Sequence, residues 1–416
     1  MEIQSEQSRF EELYQQLLKR KETLREPLPA QYDPRHLDCL LHPEKYAPVI
    51  AVSECQRCAY DEACRNSCVF DAIRREPDGR LWIDPDLCTG CEACVEACQD
   101  QRLIGNKDAL AAMKAVREAE GPAYMMIAPA FLGQFQEDVT PGQLRSAFKA
   151  LGFAGMVEVA LFADILTFKE ALEFDRHIRI AGDFQLTSCC CPVWIAMIRK
   201  MYHELVPNVP GAVSPMVACG RIVKRLHPGA LTVFAGPCLA KKKEAREPDI
   251  ADAVDYVLTF QEVRDLFEAA HIHPEELAPE EKEHASKAGR LYARTGGVSQ
   301  AVSEMTQQLN PDRKIPVRAE QADGAKACME LIRRIKDGQT QANFFEGMGC
   351  QGGCVGGPRA ILDRETGREK VDAHGEKSAF QTPLENPYVL KLLERLGFET
   401  VEELLEEEGL LTRRFE

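Results

Sequence analysis

The sequence predicts an α/β protein with mainly parallel sheets, preceded by a smaller domain that is rich in cysteine. Three observations lead to this fold class. Short apolar strands alternate with helical periods from about residue 120 onward, which is typical of parallel α/β folds. Eight of the 17 cysteines lie between residues 50 and 105, ahead of that alternation. The 416 residues are enough for about three domains of roughly 150 residues each.

The composition is that of a globular protein and argues against several classes of partner. Hydrophobic residues make up 45% of the chain and charged residues 28%. The 66 acidic residues outnumber the 51 basic ones, and the net charge of −15 argues against a nucleic-acid or anionic-membrane surface. No run reaches the roughly 18 apolar residues of a membrane span. The charged N-terminus has no apolar signal core, so we expect a cytoplasmic protein.

Residues 1–45 are predicted to form an N-terminal helix and a proline-rich linker. The helix is predicted over residues 1–25, because its apolar residues fall on one stripe that would dock against the body: Phe10, Leu13, Leu17, Leu18 and Leu24. Five prolines within residues 26–49 predict an extended, loop-like connection.

Residues 46–107 contain two related runs of cysteine. The cleaner run is Cys88-x2-Cys91-x2-Cys94-x3-Cys98. Three cysteines at this spacing wrap one corner of an iron–sulfur cubane, and the fourth reaches a neighbouring cluster. The looser run is Cys55-x2-Cys58-x5-Cys64-x3-Cys68. Two structural zinc sites are the alternative, because paired Cys-x2-Cys motifs also suit tetrahedral zinc.

This cysteine-rich segment resembles a bacterial-type ferredoxin module, an α+β domain that carries two 4Fe–4S clusters. The resemblance implies crossed ligation between the two runs. One cluster would be bound by Cys55, Cys58, Cys64 and Cys98. The other would be bound by Cys88, Cys91, Cys94 and Cys68. Such a pair transfers electrons, so the domain would be a relay to a second site in the chain.

The body is predicted over residues 120–360 and an appendage over residues 361–416. Buried strands are predicted at residues 123–127, 155–159 and 231–234, with helices at 141–151 and 163–174. Residues 388–396 and 400–408 predict an acidic helical pair on the surface.

Three Gly/Pro-punctuated loops in the body contain further cysteines. They are loop one (187–194, Thr-Ser-Cys-Cys-Cys-Pro-Val-Trp), loop two (236–241, Gly-Pro-Cys-Leu-Ala-Lys) and loop three (346–358, Glu-Gly-Met-Gly-Cys-Gln-Gly-Gly-Cys-Val-Gly-Gly-Pro). Such loops can converge at the carboxyl ends of parallel strands, where ligands bind. One cysteine each from loops one and two, with two from loop three, would hold a third cluster.

These loops resemble the three signature motifs of the FeFe-hydrogenases, and the likeness covers roughly residues 45–360. In that family the catalytic H-cluster is a 4Fe–4S cubane joined through one cysteine to a two-iron subsite. The two irons carry CO and cyanide ligands and an azadithiolate bridge, and they make and split H2. The cubane ligands implied here are Cys191, Cys238, Cys350 and Cys354. Cys354 would bridge to the two-iron subsite, and Pro192 identifies Cys191 as the loop-one ligand.

The same resemblance implies roles for residues around the subsite. Cys190 matches the proton-relay thiol, and the extra Cys189 stands where serine is usual. Lys241 matches a lysine that pairs with one cyanide, although the run 241–243 alone would indicate a solvated face. The loop that approaches the other cyanide corresponds to Ala128, Pro129 and Ala130. Met348 matches a methionine that packs against the subsite.

The proton path departs from the family pattern. Glu170 and Glu173 resemble the two glutamates of that path and lie three apart on one helix face, although a solvated face is the alternative. Pro210 stands where the intervening serine is expected and has no hydroxyl. Gly236 replaces a usual methionine, and Met216 a usual glutamine, near the bridging ligands. These changes resemble the divergent branch of the family for which sensing is proposed.

Three functions compete. The first is an H2-evolving or H2-oxidising enzyme with a ferredoxin-like redox partner and dedicated maturation proteins. The second is a slow H2 or redox sensor that signals through a separate protein. The third is a hydrogenase-like iron–sulfur assembly or electron-relay protein without the two-iron subsite. An exposed iron would react with O2, so an anaerobic host is expected.

The remaining cysteines Cys39, Cys219 and Cys328 match no motif and are predicted to be ordinary buried thiols.

Overall fold

The computed structural model describes residues 6–20, 32–55, 62–77, 81–187, 190–282 and 284–415. The elements of its N-terminal part are α1 (Glu6–Leu18), α2 (Pro34–Leu41), β1 (Val49–Ala51), α3 (Ala63–Asn66), β2 (Ile73–Arg75), β3 (Leu81–Ile83), α4 (Ala93–Ala97) and β4 (Leu103–Gly105). Strands β1 and β4 pair antiparallel, as do β2 and β3. The two cysteine runs therefore lie in a small α+β unit, as predicted.

The N-terminal helix is confirmed over α1, where Phe10, Leu13 and Tyr14 are buried against the body. Residues 1–5 and 21–25 of that prediction lie outside the described residues. The prediction of a loop over residues 26–49 is wrong for 34–45, which form α2 and a 3-10 turn, Pro43–Lys45. Pro34 occupies the first turn of α2, where the fixed φ of proline suits a helix. The Asp33 carboxylate caps that turn by accepting from the backbone N–H of Arg35.

The body is built from alternating strands and helices. In chain order its elements are α5 (Ala109–Glu118), β5 (Ala123–Ile127), α6 (Pro141–Ala150), β6 (Gly155–Glu158), α7 (Ala160–His177), β7 (Gln185–Leu186), α8 (Pro192–Met201), α9 (Pro215–Leu226), β8 (Leu231–Gly236), α10 (Ala240–Ala245), β9 (Tyr256–Thr259), α11 (Phe260–Ala270), α12 (Lys287–Leu291), α13 (Gly297–Leu309), β10 (Ala319–Asp323), α14 (Ala325–Lys336) and β11 (Phe344–Met348).

Two parallel sheets organise these elements, in the orders β6-β5-β8-β9 and β10-β11-β7. The three predicted strands and two predicted helices are present, and the predicted α/β fold class is confirmed. Helices α6 and α11 begin with capping boxes, Thr140 with Gln143 and Thr259 with Glu262. The helix α7 is almost wholly buried and packs against α9, α12 and α13.

The carboxyl ends of four strands lead directly into the predicted site. Strand β5 is followed by Ala128, β7 by Thr187, β8 by Pro237 and β11 by Gly349. Loops one, two and three therefore start at strand ends, which is where open α/β sheets bind ligands.

The C-terminal region belongs to the body and is not a surface appendage. It contains α15 (Arg364–Glu376) and α16 (Pro387–Leu396), and residues 400–408 form only a 3-10 turn, Glu402–Leu405. The prediction was wrong because apolar residues of this region enter the same core as α7: Val389, Leu392, Leu393, Leu404 and Leu411. Nζ of the buried Lys169 on α7 also donates to the carbonyl oxygen of Leu404 at 2.7 Å.

Within the described residues, no helix combines the length and apolarity needed to cross a bilayer.

Candidate iron–sulfur and catalytic site

Loops one and three are joined by a hydrogen bond and by side-chain packing. Cys191 is the residue before α8, and its Sγ accepts a hydrogen bond from the backbone N–H of Gly349 at 3.1 Å. The indole N–H of Trp194 donates to the carbonyl of Thr187 at 3.1 Å. A Cβ at position 347 would overlap the Trp194 ring, so glycine is required there. This packing holds Cys191 beside the start of loop three.

The carboxylate of Glu346 anchors the strand that enters loop three. It is fully buried and accepts from the backbone N–H groups of Gly296 and Ser299, each at 2.8 Å, at the first turn of α13. Burial raises the pKa of this carboxyl, while the Ser299 hydrogen bonds act in the opposite direction. The first residue of the motif therefore caps a helix.

The four predicted cubane ligands converge. Burial raises the pKa of Cys238 to about 12, and the nearby Cys191 adds to this effect. Burial raises the pKa of Cys350, to which Cys238, Cys191 and Cys354 add. The pKa of Cys354 is raised by burial and then by Cys190 and Cys238. These mutual effects, and the packing of Cys191 and Cys238 against one hydrophobic cluster, place the thiols of the three loops in one region. Among the described residues, no three His, Cys, Asp or Glu side chains are close enough to bind a single metal ion. Partly buried thiolates that lie near one another need compensating positive charge, which the irons of a cluster supply, so this donor set fits a 4Fe–4S cubane.

The ferredoxin-like segment brings together a second set from both cysteine runs. One cavity is lined by Cys68, Cys88, Cys91 and Cys94, which is the crossed set expected for one cluster. Burial raises the pKa of Cys88 to about 11, with Cys91 and Cys68 adding to the effect. The donor chemistry and the meeting of cysteines from both runs fit a second cubane.

The remaining set is described only in part. Cys55 and Cys64 are buried and Cys98 is partly buried, while Cys58 lies outside the described residues. Cys91 packs against the same hydrophobic cluster as Cys191 and Cys238, and a Cβ at Gly90 would lie 3.1 Å from the backbone of Ala240, so the crossed set is adjacent to the loop cysteines.

Lys241 is buried beside the loop cysteines. Its Nζ lies 2.6 Å from Oε2 of Glu244. Burial lowers the pKa of Lys241, but Glu244, Cys238 and Cys354 outweigh it, and the net shift is upward. The solvated-face alternative is therefore wrong for Lys241. Sequence reasoning missed Glu244 as its partner, although the three-residue spacing in a helix was a usable signal.

The other residues predicted to surround a two-iron subsite are buried or partly buried. Cys190 is 9% exposed, and its Sγ lies 3.9 Å from Sδ of Met348 at the end of β11. Ala128 and Ala130 are buried and Pro129 partly buried. The extra Cys189 lies outside the described residues.

The two glutamates predicted for a proton path lie on α7 and are buried, so the solvated-face alternative is wrong. Glu170 is fully buried, and Glu173 is 9% exposed with its Oε2 3.1 Å from Nδ1 of His177. Glu173 and Pro210 line one open cavity of about 390 Å³, together with Gln185 and Asn208. The structure therefore places the proline at the outer glutamate.

The two departures near the bridging ligands are both in packed surroundings. A Cβ at Gly236 would lie 2.7 Å from the Phe234 ring and 3.2 Å from Cβ of Ala128, so no side chain fits without movement. Met216 is 1% exposed in the first turn of α9.

Sequence reasoning also missed a buried ion pair between the two parts of the chain. The guanidinium of Arg359, directly after loop three, hydrogen-bonds to both carboxylate oxygens of Glu92. It also donates to Oε1 of Gln261 at 3.1 Å. Glu92 adopts a left-handed backbone, with φ of 62°. No spacing rule connects positions 92 and 359, so the pair is visible only in three dimensions.

Comparison with known proteins agrees with these features. Residues 122–358 match the model of the iron-only hydrogenase large subunit, C-terminal domain, and residues 81–100 match a 4Fe-4S binding domain. Iron hydrogenase 1 of Clostridium pasteurianum is 28% identical over 57% of this chain and 48% of its own length. This chain thus spans about half of that relative. Protein NAR1 of Arabidopsis thaliana is 22% identical over 62% of this chain and 70% of its own.

Two further comparisons concern a second NAR1 protein and a solved structure. The cytosolic Fe-S cluster assembly factor NAR1 of Mycosarcoma maydis is 33% identical over 20% of this chain and 12% of its own length. A variant of the [FeFe]-hydrogenase HydA1 from Chlamydomonas reinhardtii superposes with a TM-score of 0.60 at 19% identity. The superposition covers 74% of this chain and 98% of that one, and it shows the shared fold. Because the first family model covers more than half of the chain, the chain belongs to the iron-only hydrogenase large-subunit family.

Proposed function

We propose that this chain interconverts H2 with protons and electrons at an H-cluster held by Cys191, Cys238, Cys350 and Cys354. The observation that carries the proposal is the convergence of three loops on one partly buried set of thiols, with the buried Lys241 and Cys190 beside it. An electron-relay cubane alone does not call for a buried lysine and a fifth thiol. Both are useful where anionic ligands must be held and protons moved.

Each residue around the cofactor would then have a separate role. The two-iron part of the H-cluster, when bound, supplies the redox-active irons at which H2 is made or split. Cys354 would hold that part against the cubane, and Lys241 would donate to one cyanide. Ala128 and Ala130 would enclose the other cyanide. Cys190 would hold the proton that enters or leaves, and Met348 would exclude water beside it.

Electrons would pass through the ferredoxin-like segment. The cluster held by Cys68, Cys88, Cys91 and Cys94 would exchange electrons with the catalytic cubane, supported by the closeness of Cys91 to the loop cysteines. The cluster of Cys55, Cys58, Cys64 and Cys98 would be the second relay. A ferredoxin-like or other redox protein would be the external partner, and hydrogenase maturation proteins would supply the two-iron part.

The proposal includes slow turnover and a role in sensing H2 or redox state. Pro210, Gly236 and Met216 replace groups that would otherwise pass a proton or hydrogen-bond near the bridging ligands. A separate signalling protein would read the state of the clusters. The rate of H2 turnover by protein matured with its cofactor distinguishes a bulk enzyme from a sensor.

Iron–sulfur assembly is the second candidate, and the similarity to the two NAR1 proteins favours it. The two functions are separated by infrared spectroscopy on protein matured with a synthetic two-iron cofactor, before and after H2. We expect CO and cyanide bands that shift under H2. If no such bands appear while iron content still matches three cubanes, the hydrogenase proposal fails and the assembly or electron-relay function replaces it.

A further inference from the structure

Two buried polar atoms beside the candidate proton path have no hydrogen-bond partner among the described residues. They are Oε1 of Gln185 and Oγ1 of Thr187, whose residues are 3% and 1% exposed. Buried polar atoms in proteins almost always have partners, and an isolated one marks the position of an ordered water. Gln185 belongs to β7, and Thr187 directly follows that strand and continues its pairing, because the Thr187 N–H donates to the carbonyl of Phe345 at 2.9 Å.

These two residues face the helix of the path glutamates. Alternate residues of a strand point to the same face, so the Gln185 and Thr187 side chains share one. Nε2 of Gln185 donates to the carbonyl oxygen of Glu170 at 3.3 Å, which places that face against α7. A polar layer therefore runs between α7 and β7, and Thr187 lies three residues before Cys190.

The outer end of this layer opens into the cavity of about 390 Å³ that Glu173, Pro210 and Gln185 line. That volume holds many waters, since one water occupies about 30 Å³ in the liquid. His177 is well exposed at the same mouth and contacts Glu173. Bulk solvent thus meets the polar layer at Gln185, directly beside the proline that lacks a hydroxyl.

We propose that ordered waters held by Gln185 and Thr187 carry protons between this cavity and Cys190. The Thr187 hydroxyl supplies the link that Pro210 does not. A hydroxyl can donate its own proton onward while it accepts another, so each transfer leaves Thr187 neutral and unchanged. The Gln185 amide orients water without passing a proton. This inference rests on the proposed function, because it concerns the path to the same thiol.

The test compares Thr187→Val, which removes only the hydroxyl, with Thr306→Val as a matched control. Thr306 is buried, and its hydroxyl donates within α13 to the carbonyl of Val302 at 2.7 Å, away from the path. In matured protein, Thr187→Val is expected to lower H2 turnover about tenfold or more and to enlarge the solvent isotope effect. Thr187→Ser keeps the hydroxyl and should retain turnover.

A second measurement does not depend on H2 chemistry. In protein loaded with cubanes only, the S–H infrared band lost in Cys190→Ala reports that thiol, and its exchange in D2O is timed. We expect the exchange to be at least tenfold slower in Thr187→Val than in Thr306→Val. Equal exchange in the two variants would overturn the path through Thr187, whatever the hydrogenase assay gives. Absence of CO and cyanide bands would instead count against the proposed function alone.

A serine at position 210 provides the final check. Pro210→Ser in the Thr187→Val background should recover at least part of the lost turnover, because it restores a hydroxyl on the other side of the cavity. In the otherwise native chain it should raise turnover, and if turnover does not change, the missing serine does not limit proton transfer. If exchange of the Cys190 thiol proton recovers in the double variant, the hydroxyls at positions 187 and 210 provide alternative routes for the proton. No recovery in any assay would contradict this part of the proposal.

Discussion

Nε of Arg359 donates a hydrogen bond to the Glu92 carboxylate at 3.0 Å, in an ion pair whose acid is 2% exposed. The pair joins the end of loop three to the turn between Cys91 and Cys94. Electron transfer between two clusters falls steeply with their separation. An ion pair between the two cysteine sets would therefore affect the rate at which electrons pass between the proposed clusters.

Removing the cation of this pair should weaken the contact between the two parts of the chain. Arg359→Gln leaves the Glu92 carboxylate buried without its partner, and loss of one member of a buried pair costs about 3 kcal/mol or more. We expect a lower urea midpoint for unfolding of the cluster-loaded protein and weaker magnetic coupling between the adjacent reduced clusters. Arg368→Gln, which removes an exposed cation 3.7 Å from Asp372, is the control. Equal behaviour of the two variants would contradict the assignment.

Two of the three consecutive lysines, Lys242 and Lys243, should respond very differently to mutation. Nζ of Lys242 is fully buried and lies 2.9 Å from Oε2 of Glu262 and 3.2 Å from Oδ1 of Asp108. Lys242→Met would leave the buried Glu262 carboxylate without its lysine, while Asp108 keeps its ion pair with Arg246 at 3.1 Å, and we expect a loss of about 3 kcal/mol or more in unfolding free energy. Lys243→Met, next in the chain and partly exposed, should change it by less than about 0.5 kcal/mol. Urea denaturation measures both.

Asp164 should make the protein less stable as pH rises through the mildly acidic range. Burial raises its pKa to about 6, although hydrogen bonds from Ser286 and Asn386 act in the opposite direction. The folded state therefore binds more protons than the unfolded state between about pH 4 and pH 6. Stability contributed by this group is full below that window and falls by about 3 kcal/mol across it.

The measurement is the denaturation midpoint followed by circular dichroism at several pH values. Asp164→Asn should flatten the slope between about pH 4 and pH 6. Asp312→Asn, at an exposed position, should keep the native slope. A slope that persists in Asp164→Asn would assign the effect to another group.

Cluster content should separate ligand cysteines from ordinary ones. Cys238→Ala removes one member of the converging loop set and is expected to lower bound iron by one cubane, about four irons per chain. Cys219→Ala, at a fully buried position in α9, should leave iron content unchanged. Iron and sulfide analysis of anaerobically reconstituted protein measures both. Equal iron in the two variants would remove Cys238 from the ligand set.

Sequence pattern was sufficient where local chemistry decides the structure. The strand Ala123–Ile127 was predicted with its exact bounds, because five apolar residues sit between turn signals. The linker prediction failed at Pro34 because proline both breaks helices and begins them, and only the Asp33 cap decides which. The convergence of the loop cysteines was inferred from motif order, since sequence spacing carries no distance between separate loops.

The burial of charged residues could not be predicted from the local sequence pattern. Glu170, Glu173 and Lys242 have the spacing of an exposed helix face, yet elements distant in sequence cover them. The residues after 386 were assigned to the surface for a related reason. Their apolar stripe is short and acidic residues surround it, and the surface that it covers belongs to a helix more than 200 residues earlier.

The burial of Leu404 against α7 also limits how this protein can be dissected. A fragment that stops at residue 358 would contain every loop cysteine and the whole family-matched region. It would nevertheless leave bare the flank of α7 that Val389, Leu393 and Leu404 cover. Exposed apolar surface of that kind promotes aggregation. Minimal versions for maturation or electrode work should therefore retain the segment through Arg413, whose guanidinium pairs with Asp249.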